Sequence, residues 1–180
     1  NVKKIIFISS CSVYGEPTYL PIDENHQTSP ISPYAASKLA AETQCRIFQE
    51  KYGLETVILR LFNVYGPRHG FNDYSGVITQ FAEQVKHRSP LIIYGDGSQT
   101  RDFVHVSDVV EAVSKTLKSE NIGGEVFNVA FGKPVSLNEL AKTVIEVTDT
   151  DLDIVYEKPR EGDITHSFAD ITKAEKWLDY

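Results

Sequence analysis

Tyr34 and Lys38 are the residues whose types and spacing most directly suggest chemistry. They lie four residues apart in an alanine-rich stretch, and on a helix two residues at this spacing project from the same face. A free tyrosine loses its proton near pH ~10, and a fixed ammonium beside it favours the deprotonated form. Such a pair can supply a base near neutral pH. Because a Tyr-x-x-x-Lys pair also arises by chance about half the time at this composition, it needs support from the rest of the chain.

A hydroxyl-rich segment, SSCSVYG at 9–15, begins about two dozen residues before Tyr34. It follows an apolar run at 3–9 that is typical of a strand buried on both faces of a parallel sheet. Ligands of open α/β sheets bind at the carboxyl ends of such strands, where small hydroxyl residues can reach them. By itself the segment fits a polar turn equally well.

Composition and charge exclude several classes of partner. The chain has 180 residues, 41% hydrophobic and 24% charged, which is ordinary for a globular protein with a real core. Its formal net charge of -7 argues against binding nucleic acid or an anionic membrane, since those partners attract basic surfaces. An anionic ligand must therefore be bound by a few local cations.

The cysteines and histidines show no metal-binding pattern. Cys11 and Cys45 are far apart without Cys-x-x-Cys spacing, and none of the five histidines has a metal-ligand spacing. We therefore predict no metal and no disulfide, and we expect a reducing, cytoplasmic location. No apolar run approaches the ~18 residues of a membrane span, so we predict no membrane partner.

Strands and helices are predicted to alternate along the chain, which indicates an α/β fold with a mostly parallel sheet. Ser32 and Pro33 predict the start of the helix that carries Tyr34, and Gly53 predicts its end. Further strands are predicted at 56–62, Leu91–Tyr94, 102–106, Val126–Val129 and near Ile154. Loops are predicted at 63–68 and 95–97. Further helices are predicted at 77–87, after a Ser107 cap, after a Ser136–Glu139 capping box and from about Thr172.

Four motifs in order resemble those of the extended short-chain dehydrogenases. They are SSCSVYG at 9–15, SPYAASK at 32–38, LRLFNVYGPR at 59–68 and GDGSQTRDFVHVSD at 95–108. Their order and spacing run through nearly the whole chain, which makes coincidence far less plausible than for any one motif. The resemblance implies an enzyme that uses NAD and acts on a nucleotide-diphosphate sugar.

The resemblance also implies a reaction centre. Tyr34 matches the catalytic base of the family, and Lys38 matches the lysine that binds the nicotinamide ribose and favours the deprotonated tyrosine. Ser10 matches the hydroxyl that hydrogen-bonds the reacting sugar oxygen, with Ser12 beside it as a substrate contact. Phe62 falls where the family contacts the nicotinamide end of NAD, so the implied cofactor residues are Ser10, Tyr34, Lys38 and Phe62.

Further positions match the family's substrate site. Asn63 and Arg101 match residues that hold the substrate diphosphate, and guanidinium groups suit it because they form forked hydrogen bonds to phosphate oxygens. Arg160 and Asp163 belong to an Arg-x-Gly-Asp segment that closes over the nucleotide, while Val77, Ile92 and Tyr94 align with the walls of the base pocket. The alternatives are an ion pair between Arg101 and Asp102, and a solvated Arg160.

The chain departs from the family in lacking the Gly-x-x-Gly-x-x-Gly loop that opens the first βαβ unit and binds the dinucleotide pyrophosphate. We therefore expect the C-terminal part of a Rossmann-type sheet plus a small α/β substrate-binding part, with on the order of a hundred residues preceding it and a tail following Tyr180. The resemblance assigns 1–68 and 101–130 to the NAD-binding part, and 69–100 and 131–180 to the nucleotide-sugar part.

Among the reactions of the family, a UDP-hexose 4-epimerase that works through a transient 4-keto intermediate is the first choice. The 4,6-dehydratases usually carry acidic residues where this chain has Cys11 and Ser12. A dehydratase or reductase of the same family remains an alternative, as does a non-catalytic nucleotide-sugar binding module. The family also suggests a homodimer that packs partly through the helix bearing Tyr34 and Lys38.

Overall fold

Strands and helices alternate in the computed structural model, which describes residues 2–71, 75–160 and 162–180. The strands are β1 (Lys4–Ser10), β2 (Glu55–Leu61), β3 (Asn63–Tyr65), β4 (Leu91–Tyr94), β5 (Thr100–Arg101), β6 (Phe103–His105), β7 (Val126–Val129), β8 (Val135–Ser136) and β9 (Ile154–Glu157). The helices are α1 (Pro33–Tyr52), α2 (Val77–Lys86), α3 (Val106–Lys118), α4 (Leu137–Thr148) and α5 (Thr172–Leu178).

A three-stranded parallel sheet in the order β1-β2-β7 positions the first two motifs. Ser10 is the last residue of β1. A 3₁₀ turn, Cys11–Tyr14, follows directly. The remaining strands form short pairs: β3 with β6 and β4 with β9 are parallel, and β5 with β8 is antiparallel. This arrangement confirms the predicted α/β class with mostly parallel strands.

Helix α1 has the predicted ends. The Ser32 hydroxyl oxygen accepts a hydrogen bond from the Ala35 N–H at 3.1 Å, which satisfies a donor of the first turn, and Pro33 opens the helix. Gly53 ends it with φ 64° and ψ 19°, in the left-handed conformation that glycine adopts without strain. The capping box of Ser136 and Glu139 on α4 is also present as predicted.

Two local predictions were wrong. The segment 63–68 was predicted as a loop, but its first residues form β3, because β6 offers a parallel partner distant in sequence. Helix α3 was predicted to be capped by Ser107; instead the His105 ring nitrogen Nδ1 accepts the Ser107 N–H at 3.2 Å. The cap is a histidine, a residue type that ordinary capping preferences do not favour.

Three buried clusters hold these elements together. One lies between the sheet and helices α3 and α5, and includes Leu59 and Phe127. A second lies against the 3₁₀ turn after β1 and includes Val13, Tyr14 and Phe62. The third joins α2, α4 and β4. Within the described ranges, no helix combines the length and apolar character needed to cross a membrane.

Gly15 and Gly53 provide a matched test of the turn that follows Ser10. Both have positive φ, 67° and 64°. A Cβ on Gly15 would lie 2.1 Å from the Ser29 carbonyl oxygen, whereas a Cβ on Gly53 would have no atom within 4 Å. We expect Gly53→Ala to lower the free energy of unfolding by about 1 kcal/mol and Gly15→Ala by at least about 3 kcal/mol. Urea unfolding measures both, and equal losses would contradict the close approach.

Candidate active site

Tyr34 and Lys38 lie on the first two turns of α1, next to β1. The Lys38 Nζ donates to the Ile8 carbonyl oxygen at 3.0 Å and lies 5.7 Å from the centroid of the Tyr34 ring. Tyr34 itself is 56% exposed. A fixed ammonium therefore stands beside an accessible phenol, which is the arrangement that general-base chemistry by tyrosine needs.

Ser10 and Ser12 occupy the turn at the carboxyl end of β1. The Ser10 hydroxyl oxygen accepts the Ser12 N–H at 3.2 Å and so caps the 3₁₀ turn. The Ser12 hydroxyl is buried and has no hydrogen-bond partner among the described residues. Because an unpaired buried hydroxyl is costly, Ser12 is a good candidate to hydrogen-bond a ligand. Both residues thus lie at the sheet edge where open α/β folds bind ligands.

The side chain of Phe62 is buried in the protein. It is 3% exposed and packs in the cluster with Val13 and Tyr14, its ring centroid 6.5 Å from that of Tyr14. The ring therefore supports the turn that carries Ser10 and Ser12. A contact between Phe62 and NAD stays a prediction.

Seven of the ten predicted substrate residues surround one cavity of about 180 Å³, whereas Ser10, Ser12 and Tyr34 do not line it. It is formed by the start of α2, by β4, by the Arg101 strand and by the segment after β9. Seven residues named from the sequence line it: Asn63, Val77, Ile92, Tyr94, Arg101, Arg160 and Asp163.

Two arginines enter this cavity. The Arg101 Nη2 donates to the Asp163 Oδ1 at 2.5 Å, so its partner is Asp163 and not the neighbouring Asp102. The Arg160 guanidinium carbon lies 3.9 Å from the Tyr94 ring centroid, a cation–π contact that places this exposed side chain over the cavity wall. Of the Arg-x-Gly-Asp segment, Glu161 lies outside the described residues. The cavity thus has two planar cations suited to phosphate oxygens.

Asp102 does not line the cavity but bonds Asn63, which does, and the sequence analysis missed this supporting role. It is fully buried, and its carboxylate accepts three backbone N–H groups, from Phe131 at 2.8 Å, Gly132 at 3.0 Å and Ala169 at 3.2 Å. Burial raises the pKa of Asp102, and the hydrogen bonds from these N–H groups oppose the rise. In the sequence, Asp102 stands directly after Arg101 and before a predicted strand. That position indicated an ion pair with Arg101 and gave no sign of the backbone contacts.

Asp102 also positions Asn63. Its backbone oxygen accepts both the backbone N–H and the side-chain Nδ2 of Asn63, each at 3.0 Å. The amide oxygen of Asn63 is thereby oriented by the strand that carries Arg101. Concerning metals, the described ranges hold no group of three or more His, Cys, Asp or Glu side chains that could bind an ion.

This arrangement is that of a Rossmann-type α/β fold with a Tyr–Lys pair on the helix beside β1. Residues 1–130 match the NAD dependent epimerase/dehydratase family. The chain belongs to this family, and the predicted resemblance and fold class are thereby confirmed. NAD is the cofactor of the family, as predicted.

Curated relatives and solved structures that resemble this chain also include epimerases. A Methanocaldococcus jannaschii protein, provisionally named UDP-glucose 4-epimerase, is 44% identical over 177 residues, 97% of this chain and 57% of the relative. The UDP-N-acetylglucosamine 4-epimerase of Methanobrevibacter ruminantium M1, solved with UDP-N-acetylmuramic acid, has a TM-score of 0.95 and 40% identity over 99% of this chain and 57% of its own.

The UDP-glucuronic acid 4-epimerase of Bacillus cereus, solved with UDP-glucuronic acid and NAD, has a TM-score of 0.90 and 32% identity, covering 98% of this chain and 55% of its own. The chain therefore spans a little over half the length of the proteins it resembles.

Cys11 tests the surroundings of Ser10. Burial is the main cause that raises the pKa of its thiol to about 12. We expect about a thousandfold less thiolate than for a free cysteine at neutral pH, and correspondingly slow alkylation by iodoacetamide. Peptide mapping by mass spectrometry measures this, with Cys45 as the internal reference and urea-unfolded protein as the control. Alkylation of Cys11 as fast as in the unfolded protein would contradict the burial.

Proposed function

We propose that the whole protein is a UDP-hexose 4-epimerase that acts through a transient 4-keto intermediate. The observation that carries the proposal is the Lys38 ammonium fixed between the Ile8 carbonyl and the Tyr34 ring at an accessible sheet edge. The two-arginine cavity, which suits a diphosphate, supports it from the substrate side. A further support is that, among the described residues, the Tyr34 hydroxyl has no hydrogen-bond partner and Lys38 donates only to Ile8, which leaves both groups able to bond ribose and substrate hydroxyls.

In this mechanism Tyr34 takes the proton from the sugar 4-hydroxyl. NAD, when bound, supplies the acceptor for the hydrogen at C4 of the sugar. Lys38 stabilises the phenolate that acts as base, and the Ser10 hydroxyl hydrogen-bonds the reacting oxygen. The 4-keto sugar would then turn over and take the hydrogen with its electron pair back at the opposite face of C4, while Tyr34 returns the proton, so no net oxidation results.

The diphosphate provides the binding energy that holds the sugar in place. Arg101, Arg160 and the oriented amide of Asn63 are its proposed ligands, while Val77, Ile92 and Tyr94 form the wall for the base. On a chain of net charge -7, local arginines are what makes an anionic substrate tolerable.

Other reactions of the family are the main alternative. Decarboxylases of UDP-sugar acids are also among the relatives, at 35% and 37% identity, so the sugar is not assigned by similarity alone. The neutral Cys11 and Ser12, in positions where dehydratases usually carry acids, favour epimerisation over elimination of water. A non-catalytic binding module is less favoured, because it would not need the exposed Tyr34 beside a fixed lysine.

A homodimer through α1 and a cytoplasmic location remain predictions. Ile47, Phe48 and Tyr52 expose 39%, 45% and 73% of their surface on that helix, which suits a partner. Sedimentation of the full-length protein measures its oligomeric state.

The reaction is tested on the full-length protein with UDP-glucose and NAD. We expect UDP-galactose from the wild type, and at least about a hundredfold lower kcat for Tyr34→Phe, which keeps the ring but removes the proton acceptor. Chromatography of the nucleotide sugars measures both. A 4-keto-6-deoxy product, or a fully active Tyr34→Phe, would rule out the proposal; UDP-glucuronic acid and UDP-N-acetylglucosamine in parallel reactions identify the hexose.

The substrate side is tested by Arg160→Lys. Lysine keeps the positive charge but loses the planar group that packs on Tyr94 and forks to phosphate oxygens. We expect about tenfold weaker binding of UDP by calorimetry. The matched control is Arg46→Lys on the exposed face of α1. Unchanged affinity of Arg160→Lys would remove Arg160 from the proposed diphosphate site.

A further inference from the structure

A buried ion pair lies beneath the proposed reaction centre and has no part in the mechanism above. Glu42 is 1% exposed and Arg60 is 5% exposed. The Arg60 Nε donates to Glu42 Oε1 at 3.0 Å, and Nη2 donates to Glu42 Oε2 at 2.7 Å. This two-pronged contact is the strong form of the interaction and holds both groups in one orientation.

Glu42 also connects α1 to two strands at once. The Ser9 hydroxyl donates to Glu42 Oε1 at 2.5 Å. Ser9 and Arg60 are direct register partners in the parallel pair β1 and β2. A single carboxylate therefore fastens the helix to both strands at the same level of the sheet, one residue before Ser10.

The same face of α1 carries the proposed catalytic pair. Tyr34, Lys38 and Glu42 follow each other at intervals of four residues and therefore lie along one stripe of the helix. Lys38 bonds the Ile8 carbonyl and Glu42 bonds the Ser9 hydroxyl, so consecutive residues of β1 hold consecutive turns of the helix. These two contacts join the helix stripe that carries Tyr34 to the strand that ends at Ser10.

Arg60 holds the turn after Ser10 from its other end. Its guanidinium carbon lies 4.8 Å from the centroid of the Tyr14 ring, and the Tyr14 hydroxyl donates to Asn128 Oδ1 at 2.7 Å. Tyr14 is the last residue of the 3₁₀ turn that Ser10 caps. The ion pair thus contacts both supports of the reaction centre, the helix and the turn.

Stability alone does not account for such a pair. Taking two charges out of water is costly, and well-packed apolar side chains of similar size often stabilise a core as well or better. The ion pair instead defines the relative orientation of the two side chains, because hydrogen bonds are directional and apolar contacts are not.

We propose that Glu42 is a positioning residue for the reaction: held by Arg60, it uses the Ser9 hydroxyl to set helix α1 on the end of β1 and so fixes Tyr34 and Lys38 relative to Ser10. This inference rests on the proposed function. It predicts a defect in the chemical step without a matching defect in substrate binding, because the cavity with Arg101 and Arg160 belongs to other elements.

Ser9→Ala is the decisive variant, because it removes the hydrogen bond between β1 and Glu42 and leaves the ion pair of Glu42 with Arg60 intact. In the full-length protein we expect kcat to fall about tenfold or more, since small misplacements of reacting groups are costly. We expect KM for the UDP-sugar to stay within about twofold. Ser9→Thr keeps the hydroxyl on a side chain that strands accept and should restore most of kcat. Ser114→Ala, an exposed serine on α3, is the matched control.

Glu42→Gln should reduce kcat further than Ser9→Ala does. Its thermal midpoint shows whether the Glu42→Gln variant remains folded, and Glu50→Gln on the exposed face of α1 is its control. Ser9→Ala with wild-type kcat, or a KM that rises as much as kcat falls, would overturn the positioning role even if Glu42→Gln does not fold. Tyr34→Phe is measured alongside: if it is inactive while Ser9→Ala is normal, only the positioning role is wrong. If Tyr34→Phe is fully active, the proposed function is wrong and this inference falls with it.

Discussion

The geometry of the substrate cavity depends on one buried carboxylate. Asp102 has no exposed surface, so its charge must be compensated inside the protein, and the backbone N–H groups of Phe131, Gly132 and Ala169 compensate it. These donors belong to two segments far from Asp102 in sequence, which the carboxylate draws onto the strand that carries Arg101. Its own backbone oxygen then orients Asn63. Of the three proposed diphosphate ligands, Asn63 is therefore bonded by Asp102, and Arg101 directly precedes Asp102 in the chain.

The two halves of the proposed site are built by different means. The reaction centre rests on helix α1 held against β1 and β2, with polar groups buried beneath it. The substrate cavity rests on short strand pairs and on the segment after β9, and its arginines are paired or stacked in place by Asp163 and Tyr94. A site divided in this way can vary the ligand it accepts while the groups proposed for the chemistry stay fixed.

Secondary-structure elements that depend on neighbouring residues were predicted correctly. The strands Leu91–Tyr94 and Val126–Val129 and the ends of α1 agree with prediction, because apolar runs, caps and a left-handed glycine act within a few residues. Predictions were wrong where a distant partner decides: 63–65 becomes a strand only because β6 lies beside it. Arg101 pairs with Asp163, far along the chain, and the adjacent Asp102 turns instead towards backbone donors.

Motif order and helical spacing can be read along the chain, so the family, the α/β class and the residues proposed for the reaction follow from the sequence. Three-dimensional contacts were needed to show that seven predicted ligands share one cavity, that the buried Asp102 carboxylate bonds two distant segments, and that Glu42 joins Ser9 to Arg60. These facts depend on which distant segments the folding of the sheet brings into contact. Burial then decides the outcome, because a polar group removed from water must bond whatever partner lies within reach.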